Sequence, residues 1–268
     1  METTKVTAER IKEYLESGKR FDGRKPDEFR EISIETGVSK NAEGSVRVKI
    51  GKTDVIAGVK MEVSEPYPDS PDKGNLVVSA ELLPMSSSRY EAGPPKIEAI
   101  ELARVTDRIV RESKFIDMEE LCITKGEKVW TVYIDIYSIN ADGNLLDAAG
   151  LAAIAALRIA KMPKYDKKEE KIIRGEFTDK NIPLKKETPI SITIYKIGNS
   201  LIVDPNIEEE DVSEARITIG FCDGKISSMQ KGDPKEISIE EMTSALDITK
   251  KLWKKIADKL EEELEKAK

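Results

Sequence analysis

The sequence predicts a mixed α/β protein of the α+β type: two similar strand-and-helix halves with mixed sheets, closed by a C-terminal helix. Three observations carry this. The elements run strands, helix, strand, helix, then strands and a last helix, without the βαβ alternation of a doubly wound fold. A charged stretch at 161–177, KMPKYDKKEEKIIRGEF, separates two parts of similar style. The 268 residues, 39% of them hydrophobic, suffice for a well-buried core. The expected organisation is a single domain over 1–268, with an N-terminal half at about 20–162 and a C-terminal half at about 183–268. A short N-terminal helix at 7–17 precedes them.

Each element follows from its residues. Thr7 can cap the first helix, Ile11, Tyr14 and Leu15 form its stripe, and Gly18 stops it. A charged loop leads to a strand around Ile32 and Ile34. Residues 45–50 alternate and predict a half-buried strand, Gly51 turns the chain, and 53–59 is the next strand. Pro66, Pro68 and Pro71 hold an extended loop before a strand at 75–83. The spacing predicts a helix over 97–115 with two faces. Leu102, Val105, Thr106, Ile109 and Val110 lie on one; Glu101, Arg104, Arg108 and Arg111 lie on the other. A strand at 130–137, a turn at 140–144 and an Ala/Leu-rich helix at 145–157 follow. That helix is apolar nearly all round and therefore buried. The 161–177 stretch reads as an exposed hairpin. Strands at 190–195 and 201–203 meet across Gly198-Asn199, and 216–221 and 226–229 are further strands. Ser238 and Glu241 form a capping box for the last helix, whose stripe is Met242, Leu246, Trp253, Ile256, Leu260 and Leu264.

Composition excludes whole classes of chemistry. There is no histidine, which removes Ser-His-Asp and Cys-His catalysis and histidine-containing zinc sites. Cys122 and Cys222 stand alone, as suits a reducing cytoplasm. No apolar run reaches the roughly 18 residues of a membrane span, so a cytoplasmic protein is expected. Lys plus Arg is 44 and Asp plus Glu is 51, a net charge of −7. A polyanion partner must therefore be held by a local patch. No phosphate-loop, dinucleotide-binding, zinc-protease or nucleophile-elbow motif occurs. No cofactor and no metal ion is called for.

Three chemical signals remain. Arg104, Arg108 and Arg111, at i, i+4 and i+7, present forked donors suited to phosphate oxygens. The same row also reads as a solvated helix face paired internally with Glu101 and Glu112. The acidic run 208–211 reads as an exposed loop, with a hydrated Mg²⁺ site as the alternative. The third, Asn140 to Asn144, is explained by turn chemistry.

Several segments together resemble the RNase PH family. They are RFDGRKPDEFR (20–30), AEGSVRVKIGKTDVIAGV (42–59), AIELARVTDRIVRES (99–113), residues 140–157 and VDPNIEEEDVSEARI (203–217). GNLVVSAELLPMSS followed by EAGPPKIEAIELARV is similar to the non-catalytic RNase PH-like subunit of the archaeal exosome. The resemblance implies an RNase PH-like fold and a hexameric ring of three heterodimers with a catalytic RNase PH-like subunit. It also implies KH/OB-type RNA-binding cap subunits and RNA as ligand.

Active members of that family degrade RNA from the 3′ end with phosphate as nucleophile, which needs gathered cations, N–H donors and carboxylates. Against their pattern four parts are altered. An arginine pair is replaced by Ile97 and Glu98, and a Gly-Ser-Arg by Asn144, Leu145 and Leu146. Asp211 survives of the acidic pair, but the second carboxylate falls at or near Arg216. The late phosphate loop reads Gln230 to Asp233, and Asp233 repels phosphate. The expectation is no catalytic residue in this chain. Arg104 and Arg108, with Arg111 on the same face, instead match the arginines that such a subunit lends to the RNA path. Two alternatives stay open: an active phosphate-dependent exoribonuclease or tRNA nucleotidyltransferase of RNase PH type, and a scaffold that has lost RNA.

Overall fold

Strand alternation sets the first sheet's buried face, and in a computed structural model that sheet is met by three helices. The structure describes residues 3–166 and 169–267. In chain order the first half holds α1 (Lys5–Glu16), β1 (Ile32–Thr36), β2 (Gly44–Ile50), β3 (Thr53–Ser64) and β4 (Asn75–Leu82). It continues with α2 (Ile97–Glu112), β5 (Cys122–Thr124), β6 (Lys128–Asn140) and α3 (Leu145–Ile159). A hairpin of β7 (Lys161–Asp166) and β8 (Lys171–Asn181) follows. The second half holds β9 (Ile190–Ile197), β10 (Ser200–Val203), α4 (Ile207–Val212), β11 (Ala215–Cys222), β12 (Lys225–Gly232) and α5 (Ile239–Lys266).

The first sheet has the order β1-β2-β3-β6-β4, with β5 on β6. It is mixed, because β4 runs parallel to β6 while β1, β2, β3 and β6 pair antiparallel. The second sheet, β10-β9-β11-β12, is antiparallel. Helix α3 lies between the two sheets, touching β2 and β3 on one side and β9 on the other. Two glycines permit this. A Cβ on Gly44 would sit 2.4 Å from the Ala156 carbonyl oxygen, and one on Gly150 would sit 2.8 Å from Ser191 Oγ. Ser191 and Thr193 thus face α3, so Ile192 and Ile194 face the other way, where α5 packs on β9 and β11. One continuous core joins both sheets with α2, α3 and α5. A smaller one seats Ile11 and Leu15 of α1 against Tyr195, Ile197, Ile202 and Val212.

Several elements differ from the sequence expectation: β3 runs on to Ser64, β5 is an added strand and β8 runs on to Asn181, and three more differ for local reasons. The first helix starts at Lys5 rather than 7, because Thr4 is the cap and its hydroxyl accepts the Thr7 N–H. Helix α2 ends at Glu112 rather than 115. There the Ser113 hydroxyl donates back to the Ile109 carbonyl (2.6 Å), and Lys114 takes a left-handed φ of 52° that turns Phe115 into the core. The acidic run 208–211 is helix α4, not a loop. Asn206 and Glu209 form a capping box, and the carboxylates of the first turn favour the helix N-terminus. The tip of the expected 161–177 hairpin, at 167–168, lies outside the described residues.

Candidate functional site

A charged clamp sets the geometry from below. Arg20 is fully buried and pairs with Glu209 through Nε (2.8 Å to Oε1) and Nη2, while also donating to the carbonyls of Val203 and Asp204. Arg24 and Arg30 converge on the buried Asp204 carboxylate, at 3.0 and 2.7 Å. Arg30 also donates to the carbonyls of Asp142 and Gly143. The loop at 20–30 therefore ties the turn before α3 to the turn before α4. Asn144, in the left-handed region at φ 56°, completes the tie by donating to Asp147 (3.1 Å) and Asp204 (3.0 Å). Burial pushes the Asp147 carboxyl up to about 7, against the hydrogen bonds from Thr193 and Asn144.

These two turns deliver the first residues of α3 and the last turn of α4 to a pocket of about 350 Å³, closed by α2 and the ends of β11 and β12. Leu145 and Leu146 line it with Tyr90, Glu98, Glu101, Tyr195, Glu210, Asp211, Arg216 and Asp233. Its arginine and two of its carboxylates are paired with one another. Arg216 Nη2 donates to Glu101 (2.8 Å), and its Nε lies 3.3 Å from Asp233. Asp211 receives both ends of the Arg89 guanidinium at 2.7 Å, and the Thr3 N–H and hydroxyl at 3.1 and 3.0 Å. Desolvation acts to raise its pKa, but these donors outweigh it and hold the carboxyl below its ordinary value. Glu210 goes the other way: burial raises it, although the Asn144 N–H and the Tyr195 hydroxyl donate to it at 3.1 and 3.0 Å. Tyr90 is pushed up to about 12 by burial and by Glu210.

The arginine row runs along α2 away from this pocket, and its Arg104 and Arg108 border a second one of about 430 Å³ with Val78, Ser79, Pro95 and Asp107. Arg104 is exposed and has no hydrogen-bond or ion-pair partner among the described residues. Arg108 donates to the neutral amide oxygen of Gln230 at 3.0 Å. Arg111 is engaged, pairing with Asp107 (2.7 Å) and donating to the Leu76 carbonyl. The pairing expected with Glu101 and Glu112 does not form: Glu101 is taken by Arg216 and Gln230, and Asp107 supplies the carboxylate to Arg111. The acidic run, expected to be exposed, buries Glu209 under Arg20. Among the described residues, no group of three or more acidic or thiol side chains is placed to hold a metal ion.

Sequence reasoning located Arg216, Gln230 and Asp233 but not their mutual contacts, and it missed Arg89 altogether. Arg89 and Asp211 are 122 positions apart, so no local pattern announces the pair. The arginines at 20, 24 and 30 were legible as a charged loop, but their burial was not.

Comparison with known proteins shows what the chain is similar to. Models of the 3′ exoribonuclease family match residues 28–163 (domain 1) and 187–251 (domain 2). The chain is 43% identical over 244 residues to the exosome complex component Rrp42 of Methanothermobacter thermautotrophicus, covering 91% of this chain and 90% of that protein. It is 45% identical over 261 residues to the protein of the same name from Methanocella arvoryzae, covering 96% and 97%. A chain of the Archaeoglobus fulgidus exosome with RNA bound to the active site superposes with a TM-score of 0.86 at 40% identity, over 96% of this chain and 97% of that one.

Proposed function

The chain belongs to the 3′ exoribonuclease (RNase PH) family, and from that premise we propose that it is the non-catalytic ring subunit of an archaeal exosome. In this role it completes the active site of a catalytic RNase PH-like partner and offers RNA the arginine row of α2. The observation that carries the reading is the pocket beside that row. Phosphorolysis requires cations left unpaired for an incoming phosphate and a carboxylate free to move a proton. Here Arg216 and Arg89 are paired with carboxylates, Asp211 is clamped, and Leu145 and Leu146 stand where donors are needed. Arg104 and Arg108, by contrast, have no carboxylate partner among the described residues and point away from the core stripe of Leu102, Val105 and Ile109. Arginine contacts to phosphates position a strand without reading its bases.

The same proposal places the chain in a ring of three heterodimers, under KH/OB-type cap subunits, in the cytoplasm. Among the described residues no helix is long and apolar enough to cross a membrane. The test is RNA degradation with phosphate and Mg²⁺ by this chain alone, by a catalytic-type partner alone and by the two mixed. Nucleoside diphosphates should appear with the partner present and rise on mixing. Robust release by this chain alone, abolished by Asp211→Asn, refutes the proposal.

A further inference from the structure

We propose that Gln230, Glu101 and Arg216 are positioning residues for Arg108, so that the inactive pocket serves as a brace for the arginine row. This rests on the reading of that row as an RNA contact and names what holds it in place.

The contacts are continuous. Arg216 Nη2 donates to Glu101 Oε2 at 2.8 Å, Gln230 Nε2 donates to Glu101 Oε1 at 2.9 Å, and Gln230 Oε1 accepts from Arg108 Nη1 at 3.0 Å. Each link fixes the next. An amide has one donor end and one acceptor end. Because Glu101 takes the NH₂ of Gln230, only its oxygen is left for Arg108. A carboxylate on one side and a guanidinium on the other thus set the amide's orientation.

The choice of a neutral acceptor matters. An amide restrains the guanidinium without neutralising it. One of five N–H donors is engaged, which leaves four and the full positive charge for phosphate. A carboxylate at position 230 would pair with Arg108 and compete with the ligand.

Arg216 has a second effect. Glu101 stands three residues before Arg104 on the helix face, within reach of an i,i+3 ion pair. Arg216 keeps that carboxylate occupied. Asp107 is diverted in the same way, onto Arg111. Glu101 and Asp107 are therefore held off the two arginines that remain available.

Ordering a long, rotamer-rich side chain on binding is worth about two- to tenfold in affinity. Loss of the brace should weaken RNA binding by that factor. The experiment uses rings assembled with the catalytic-type partner and shown to be of equal size on a sizing column. Binding of a fluorophore-labelled RNA oligonucleotide is read by anisotropy with phosphate withheld. Arg108→Ala, Gln230→Ala and the double variant form a cycle. The expected result is weaker binding for each single variant and no further loss from Gln230→Ala once Arg108 is gone. Arg216→Ala should also weaken binding, and Glu101→Gln in that background should restore it by removing the freed carboxylate. A merely structural Arg216 would not be rescued this way. If Arg108→Ala alone binds like wild type, the arginine row is not an RNA contact and the brace has nothing to position. If Arg108→Ala weakens binding but Gln230→Ala does not, the row stands and the brace is refuted. The brace is equally refuted if Gln230→Ala weakens binding as much without Arg108 as with it.

Discussion

Arg20→Ala removes the cation at the centre of the clamp beneath the site. Its side chain is fully buried, and Glu209, itself buried, would be left without either guanidinium donor. The carbonyls of Val203 and Asp204 would each be short of a donor as well. Glu209 would keep only its capping-box bond from the Asn206 N–H, at 3.0 Å. Removing one partner of a buried ion pair costs about 3–5 kcal/mol, chiefly through the charge left unpaired. With an unfolding entropy of about 2.1 cal/mol/K per residue over a chain of this length, that loss lowers Tm by about 5–9 °C. A second change separates the charge from the packing. Glutamine at position 209 can still serve the capping box but leaves no buried anion, so Glu209→Gln added to Arg20→Ala should raise Tm above that of the single variant. Differential scanning calorimetry at neutral pH reads both. A fall of less than about 2 °C for Arg20→Ala, or a further fall on adding Glu209→Gln, refutes the account of the clamp.

Three other outcomes follow from the site. Arg104→Ala with Arg108→Ala should leave folding within about 0.5 kcal/mol, as for surface changes. On single-stranded RNA it should flatten the slope of log affinity against log salt by about 0.7 for each phosphate the arginines no longer neutralise; an unchanged slope across a salt titration removes the row from the RNA path. Mixing with a catalytic-type subunit should convert this chain into an alternating ring, and light scattering that finds a stable homohexamer indifferent to the partner contradicts the assembly. Asp147 has a folded-state pKa of about 7 against an ordinary 3.8. The folded protein thus holds an extra proton between those values. The stability this contributes is complete below about pH 3.8 and is lost as pH rises through 7. Asp147→Asn should gain on wild type steadily between pH 4 and 7 in denaturant unfolding, and a constant difference across that window would sink the assignment.

How much of this was legible in the sequence depends on the range of the signal. Strand alternation at 45–50 and 190–195, the α2 stripe and the Ser238–Glu241 box act within a few residues, and each appears in the structure. Ser113 and Lys114 defeated the helix end because a side-chain back-bond and a positive φ leave no mark in hydrophobic spacing. The acidic run failed for another reason. A string of carboxylates reads as solvated surface unless its counter-ion is known, and Arg20 lies 189 positions away from Glu209. The replacements at 97–98, 145–146, 216 and 233 were visible one by one. What they do to each other was not, since Arg216 meets Glu101 across 115 positions.

On the proposed non-catalytic role, those pairings explain why losing catalysis need not leave a defect behind. A pocket that binds phosphate must hold like charges together without partners until the ligand arrives, and such arrangements cost stability. Putting an arginine at 216 and an aspartate at 233 turns that arrangement into a paired one, with Glu101 as the second anion. Arg89 and Thr3 do the same for Asp211. On α2, Arg104 has no ion-pair or hydrogen-bond partner among the described residues, and Arg108 is restrained only by an amide. A net charge of −7 makes the location decisive, because a general basic surface is absent and a strand must be drawn to one place. On that reading the loss of phosphate chemistry in the pocket and the availability of the arginine row are linked electrostatically, because Arg216, which pairs within the pocket, also holds Glu101 off the row.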